Sequence, residues 1–520
     1  MLEYIRIKNL RSLEDTKEVQ ISPVTVLLGE NSSGKSTFLR IFPLLKQSVE
    51  TNTRSPVLWY GKYVDFGDFD QALSRNNEGK EISLIFGLAV PRIIITSPVL
   101  WQRTPRISVN SDDTLNVVIE IRLTSRGKDG LTRTAGLTIK IEDNEIEIGI
   151  NEQGKVSKLN VNKHDYTAYA DLFSYTQAVK LLPNIFAKQE EPALYRWRSK
   201  PPPEKLRQHI LKELSQFLHG KSGEAALSSA YMNIKAGSKK QMYNSFRKAS
   251  STLTWQKRTS ATDPKSSGIQ ELLNLILISR IPSIIPALDE VLDATFRRVS
   301  YTAPLRASAE RYYRSQDLSV AELDSKGENL TMFVRNLSER EKQQLDNWTR
   351  REFGFKLDVK YSGGHVTAGI EYEGSGESFN LTDMGFGFSQ VMPIIVQIWT
   401  LIHRASRLPE DNYIYTYVIE QPELHLHPRL QAKLAEALIK AVIHARKHAI
   451  KINLVLETHS EAIVNKIGLM TASGEISHTD ANIIIFSKET EKSETRVSSS
   501  RFDEHGVLSN WPYGFFDIEV

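Results

Sequence analysis

Residues 24–42 read VTVLLGENSSGKSTFLRIF: an apolar run ending at Gly29, a polar turn rich in glycine and serine, and a return to apolar residues at Phe38. The opening part, Val24–Gly29, has the unbroken apolarity of a strand buried on both faces, and a loop and helix are expected from about Lys35 to Ser48. Between them stands Gly29-x-x-x-x-Gly34-Lys35-Ser36. The glycines let the backbone turn tightly and approach an anion. The amides from Asn31 through Ser32, Ser33 and Gly34 to Ser36 can then address phosphate oxygens, helped by the positive end of the helix that follows. Lys35 suits the β- and γ-phosphates and the Ser36 hydroxyl suits Mg²⁺. The reading is a P-loop that binds ATP with Mg²⁺ through Gly29, Asn31, Ser32, Ser33, Gly34, Lys35, Ser36 and Thr37.

Such a loop needs a carboxylate for the cation and a group to orient the attacking water. Residues 413–428, YIYTYVIEQPELHLHP, offer both. Glu420 ends a buried-type strand, where a direct or second-layer Mg²⁺ carboxylate belongs, Pro422 stops the strand and Glu423 follows as a second acid. In LVLETHSEAI, residues 454–463, His459 comes just after another apolar strand, where it could meet a γ-phosphate or its water. His425 and His427 lack a clear third ligand, which is weak support for zinc and favours a structural or dimer-contact role. In LTDMGFGFSQVMPIIVQIW, residues 381–399, Gly385, Gly387 and Ser389 precede an apolar helix, giving a second small-residue helix entry suited to an anion, including one held by another copy of the chain.

The remaining sequence sets the frame. The 520 residues are 40% hydrophobic and 25% charged, an ordinary globular composition, and contain no cysteine, so disulfides, thiolate metal sites and cysteine nucleophiles are excluded. The start, MLEYIRIKNLRS, reads as a strand rather than a signal peptide and no apolar run is long enough for a membrane helix, so a cytoplasmic location is expected. Strands are expected at Leu2–Lys8 and Glu81–Ala89, and alternating antiparallel strands at Ile107–Leu123 and Leu137–Ile150. Val179–Met232 reads as mainly helical, Lys235–Gly268 as a loop or mobile region, and Ile269–Arg298 as helical again. Tyr413–Glu420, Leu430–Lys447, Ile452–Glu457, Glu461–Ile467 and Asn482–Ser487 alternate strand and helix, implying a mainly parallel sheet. The net charge of +4 is uneven: Ile185–Ser267 has 16 Lys and Arg against 6 Asp and Glu, a net of +10, leaving the remainder at −6. An anionic partner and a solvated insertion both fit that segment.

Taken in order, the P-loop, the glycine-serine helix entry, I-E-x-P-E-x-H-L-H-P and E-T-H-S resemble the ABC-type ATPases of the SMC/RecF/OLD class. The similarity extends to IRIKNLRSLED, LLKQSVE, YVDFGDF, APLRASAERYY and NWPYGFFD, and points to OLD-like ATPases without a nuclease domain, such as the Septu and retron PtuA and PARIS AriA subunits of anti-phage systems. The resemblance implies an α/β fold: an ABC-type P-loop ATPase head, with a mixed sheet and flanking helices, split by a long α+β insertion. Its N-terminal half would be 1–90, the insertion 91–300 with the basic segment 185–267, and the C-terminal half 301–520. It makes Lys35 and Ser36 the Walker A residues, Glu420 the Walker B acid and a Mg²⁺ ligand beside Ser36, and His459 the switch histidine. Gly385, Gly387, Ser389 and Gln390 become a signature entry that reads a partner's γ-phosphate. Gln47 takes a Q-loop-like role, and Arg306 lies in the PLR segment with no chemistry assigned.

One departure bears on rate. Gln421 stands where most ABC ATPases have a catalytic glutamate, and glutamine orients water but is a poor base. Either Glu423 substitutes or turnover is slow, so the expectation is weak hydrolysis and stable ATP-bound dimers. Two functions fit: a defence ATPase that forms a homodimer or higher oligomer on ATP and controls a separate effector, a nuclease such as an HNH protein or a toxin, or a RecF/SMC-like DNA-binding ATPase in repair or maintenance. Tyr195, Trp197, Tyr231, Tyr243, Phe246 and Trp255 interleave with the basic residues, as nucleic-acid or partner contacts or as a small core. A transporter motor fits poorly, given the atypical signature and the large insertion.

Overall fold

Val24, Val26, Leu27 and Leu28 are fully buried, the state expected of a strand covered on both faces. In a computed structural model of the chain, residues 1–75, 79–96, 113–125, 130–177, 180–188, 201–220, 222–306, 310–314, 320, 322–362, 365–372, 374, 376–384, 386–407, 414–488 and 495–510 are described. The chain divides into two compact units, one of residues 16–43 and 298–520, the other of residues 1–15 and 44–297.

The first of these carries the P-loop. Its six-stranded sheet is made of β1 (Val24–Gly29), β2 (Val299–Thr302), β3 (Tyr415–Glu420), β4 (Ile452–Glu457), β5 (Ala481–Lys488) and β6 (Thr495–Ser500), in the order β2-β3-β4-β1-β5-β6. All neighbours are parallel except β5 and β6. Helices α1 (Lys35–Leu39), α2 (Phe386–Ser406), α3 (Pro428–Lys447) and α4 (Glu461–Ala472) accompany the sheet. One apolar core joins Val24, Val26 and Leu28 with Ile394 and Ile398 of α2, Leu434 and Leu438 of α3, and Ile463 and Ile467 of α4. The helix expected over Lys35–Ser48 forms as α1 and a second segment, Ile41–Glu50. Pro43 has no N–H to give the Leu39 carbonyl, so the ladder lapses around Arg40. Register fixes the site: Glu420 of β3 lies opposite Glu457 of β4, and Glu457 opposite Leu27 of β1. Two carboxylates therefore end adjacent strands beside the phosphate-binding loop, where α/β sheets gather their ligands.

In the other unit, strands Leu13–Asp15, Leu2–Leu10, Ile82–Pro91, Thr114–Thr124, Arg133–Ile141, Asn144–Ile150, Val156–Val161 and His164–Asp165 follow one another across an antiparallel sheet. Ile82–Pro91, expected with the N-terminal ATPase half, thus pairs on one side with Leu2–Leu10 and on the other with Thr114–Thr124. The expected run Leu137–Ile150 is a hairpin that turns at Glu142, whose φ is +55°. Residues 107–112 lie outside the described part. Within Val179–Met232, Asn184–Ala187 is a strand paired with Phe173–Thr176, Glu204–Ser215 is a helix, and residues 189–200 lie outside the described part.

Lys235–Gly268 is a correction. It holds helices Lys239–Arg247 and Leu253–Ser260, capped by Ser238 with Gln241 and by Thr252. Aliphatic residues are few there, but Phe217 packs edge to face on both Phe246 and Trp255, which meet each other at a tilt, and the three rings anchor both helices. Among the described residues, no helix is long and apolar enough to cross a membrane.

Candidate nucleotide site

The loop after β1 is shaped by its glycines. A Cβ on Gly29 would sit 2.1 Å from the Phe486 carbonyl oxygen of β5, and Gly34 enters α1 at φ +96° without a side-chain cap. Both positions exclude ordinary side chains. Asn31 and Ser32 are exposed and Ser32 is left-handed, at φ +60°. Ser33 is buried with no partner for its hydroxyl. The Lys35 ammonium is buried and donates to the Gly29 and Glu30 carbonyls at 2.9 and 2.5 Å. Burial lowers its pKa, against the opposing pull of Glu457, Glu30 and Glu423.

Two acids meet this loop in different ways. The Glu420 carboxylate, 2% exposed, accepts a two-pronged bond from Arg40, Nε to Oε1 at 2.7 Å and Nη2 to Oε2 at 2.8 Å, and a third from the Tyr301 hydroxyl at 2.8 Å. The bond to Glu420 raises the Arg40 pKa. Burial, then the Glu420 charge, raises that of Tyr301. Glu457, 1% exposed, accepts the Ser36 hydroxyl on Oε1 at 2.6 Å, while its Oε2 is buried and has no partner. Burial pushes this carboxyl up, to about 7, with Glu420 adding to the shift and Ser36, Lys35 and Arg40 opposing it. Glu457 was missed from sequence because it reads as the last residue of an apolar strand. The available signal was an acid ending INLVLE, the same cue that singled out Glu420 at the end of YTYVIE.

Behind these acids, Arg306 is 5% exposed and donates from Nη2 to the carbonyls of Glu420 and Gln421 at 2.9 and 3.2 Å. Its Nε and Nη1 are buried without partners, and burial lowers its pKa to about 10. Its backbone is clasped by Gln390, which accepts the Arg306 N–H at 3.2 Å and donates to the Arg306 carbonyl at 3.1 Å. Gln421 is left-handed at φ +43°, and its N–H donates to the Glu457 carbonyl at 2.8 Å. Glu423 accepts the His459 N–H on Oε1 at 2.7 Å, and its Oε2 is buried without a partner. Burial raises the Glu423 pKa; burial, then Lys35, lowers that of the exposed His459.

The family model for the AAA ATPase domain, AAA_15, matches residues 1–464. The chain belongs to this family. A second model, described as a protein of unknown function (DUF3696), matches residues 476–518. No curated protein matches the chain. Solved structures similar to it include an Smc head bound to the C-winged helix domain of ScpA, 9% identical with a TM-score of 0.36 over 97% of this chain and 98% of that one. Another is the Smc head with an extended coiled coil bound to the C-terminal domain of ScpA derived from Pyrococcus furiosus, 9% identical with a TM-score of 0.33 over 96% of each chain. The SMC head domain from Thermotoga maritima is 8% identical, with a TM-score of 0.34 over 96% of this chain and 98% of that one.

An AAA ATPase domain implies a nucleotide, usually with Mg²⁺, and the residues fit one. The loop has no room for a side chain at Gly29, and Ser33 Oγ, Glu423 Oε2 and Glu457 Oε2 are buried polar atoms in want of partners. A hydroxyl with carboxylates suits a hard cation. Among the described residues no three His, Asp or Glu form a cage.

Other expected residues of this AAA ATPase fall differently. Gly385 lies outside the described residues. Gly387 opens α2 so close to the acid loop that a Cβ would meet the His425 carbonyl oxygen at 3.0 Å. Ser389 is buried, and Gln390, 1% exposed, spends its amide on Arg306 inside the unit, so it is not presented to a phosphate on a second copy. His427 caps α3, its Nδ1 accepting the Arg429 N–H at 3.3 Å. Gln47 is fully used by the chain around it, donating to the Leu58 and Val64 carbonyls and accepting the Tyr63 and Val64 N–H groups, so its amide is a structural clip. Of the two alternatives for the aromatic residues of the basic segment, the small core holds for Tyr231, Phe246 and Trp255, which are buried, while Tyr243 is half-buried and donates to the Thr262 carbonyl. Tyr195 and Trp197 lie outside the described residues.

Proposed function

We propose that the chain binds Mg²⁺·ATP along Gly29–Thr37, turns it over slowly, and uses the ATP-held state to associate with further copies of itself and control a separate effector, a nuclease or a toxin, in cytoplasmic anti-phage defence. The observation that carries the ATP reading is Ser36 bonded to a strand-end carboxylate with Lys35 beside it. The nucleotide supplies a labile phosphoanhydride, and Mg²⁺ supplies charge neutralisation. Lys35, which donates to two loop carbonyls, would hold phosphate oxygens, and the Ser36 hydroxyl would serve the cation. Gln421, its backbone held by Glu457 and Arg306, orients water without accepting a full proton. Glu423, with a raised pKa and one unpartnered oxygen, is the other candidate base. Slow turnover follows if Gln421 does the work alone.

Lys35→Ala should abolish ATP binding measured by calorimetry; retained affinity defeats the P-loop assignment. Glu423→Gln should lower turnover if that acid is the base, and unchanged turnover assigns the water to Gln421. The anti-phage role is tested by purification with its genomic neighbours: a nuclease or toxin that co-elutes only in ATP supports it. A second reading, a RecF/SMC-like DNA ATPase, is favoured by the exposed Lys239, Lys240, Arg247 and Lys248 on one short helix and its C-terminal cap. It requires DNA-stimulated turnover with steep salt dependence, lost when those four residues become glutamate.

A further inference from the structure

We propose that Glu457, rather than Glu420, is the carboxylate that serves the divalent cation at Ser36, and that Arg40 and Tyr301 hold Glu420 out of that role. The inference rests on the ATP reading above and deepens it.

Position does not separate the two acids, because Glu420 and Glu457 stand opposite one another at the ends of parallel strands and project to the same side. Their partners do separate them. Both Glu420 oxygens are engaged: Oε1 takes Arg40 Nε and the Tyr301 hydroxyl, and Oε2 takes Arg40 Nη2. The charge of Glu420 is matched by one guanidinium, and a cation would have to displace a two-pronged bond to reach it.

Glu457 is the reverse case. It is as deeply buried as Glu420, yet one oxygen has no partner among the described residues. A buried carboxylate oxygen left in that state asks for a cation or a water. Its other oxygen accepts the Ser36 hydroxyl. A serine that ligates a metal through its oxygen must send its hydrogen to an acceptor on the far side, and Glu457 Oε1 is placed to be that acceptor. The carboxylate would thus orient the Ser36 lone pairs and offer Oε2 to the cation directly or through one of its waters, as Mg²⁺ commonly requires. With the Arg40–Glu420 pair neutral, Glu457 is the remaining strand-end charge facing Ser36.

The test is the gain in ATP affinity on adding Mg²⁺, measured by calorimetry in EDTA and in excess Mg²⁺ with the full chain. Wild type should bind more tightly with Mg²⁺. Glu457→Gln should lose the gain, roughly tenfold or more, while its affinity in EDTA stays near wild type. Glu457→Asp, which keeps the charge but draws it back from Ser36, should also lose most of the gain and serves if the glutamine variant misfolds. Glu420→Gln should keep it. The proposal is overturned if Glu420→Gln loses the gain, with or without Glu457→Gln, or if both Glu457 variants keep it. Wild type that fails to bind ATP in either condition, or Lys35→Ala that binds it normally, would sink the ATP reading itself.

Discussion

Replacing Arg40 by methionine keeps most of the side-chain volume and removes the cation from Glu420. The carboxylate is 2% exposed, so it would be left buried with Tyr301 as its one remaining bond among those described above. Stranding a fully buried charge by deleting its partner costs about 3–5 kcal/mol. The Arg40 side chain is 34% exposed, so water can reach part of the space it leaves, and the expected cost falls to roughly 2–4 kcal/mol. Glu420→Gln should cost less, about 1–2 kcal/mol, because Arg40 can turn to solvent. The two changes together should cost less than their sum by roughly 1–3 kcal/mol, since the double variant has no stranded charge. The assay is urea unfolding of the four proteins at one pH, followed by a probe confined to the P-loop unit, such as fluorescence of Trp348 or Trp399 in a background where the other tryptophans are phenylalanine. Strict additivity, or an Arg40→Met cost below about 1 kcal/mol, would refute the claim that this pair locks Glu420.

Asp289, on helix Ile281–Arg297, is buried and accepts the Leu182 N–H at 2.9 Å; burial pushes its carboxyl up to about 7, with Asp293 and Glu290 adding and Lys180 opposing. Its folded pKa lies above the unfolded one, so its stabilisation is complete below about pH 4, declines as pH rises toward 7 and is lost above, by at most about 4 kcal/mol. Asp289→Asn keeps the acceptor and should flatten the fall in melting temperature between pH 5 and 8; parallel wild-type and variant profiles would count against it. Arg306→Met should lower kcat by roughly tenfold to a hundredfold with little change in KM, because the Glu420 and Gln421 carbonyls lose their tether, and steady-state ATPase assays read the split. Gly387→Val should destabilise by about 1–3 kcal/mol, since even its Cβ presses on the His425 carbonyl and on Leu426; an unchanged melting temperature would show that α2 can retreat.

Much of the P-loop unit was legible because its signals are local. Val24–Gly29, Ile452–Glu457 and Asn482–Ser487 read as buried strands and form β1, β4 and the heart of β5. The second unit was harder. Lys235–Gly268 reads as loop because its anchors are isolated aromatics rather than a periodic aliphatic stripe, and those aromatics find their core by meeting Phe217 from the turn that follows the helix Glu204–Ser215. Gln47 and Gln390 looked like polar residues available for a nucleotide. Which atoms satisfy a buried amide depends on chain segments brought near it by folding, and the sequence does not show that.

By itself, the order G-x-x-x-x-G-K-S between a strand and a helix determined an anion-binding turn, because the backbone shape and the charge at a helix start are set within a dozen residues. The tertiary structure decided which acid that turn meets. Glu420 and Glu457 are equivalent as strand-ending carboxylates; the pairing of β3 with β4 brings them level, and Ser36 and Arg40 from the P-loop helix, with Tyr301 from a distant strand, divide them into one acid that is neutralised and one with an oxygen to spare.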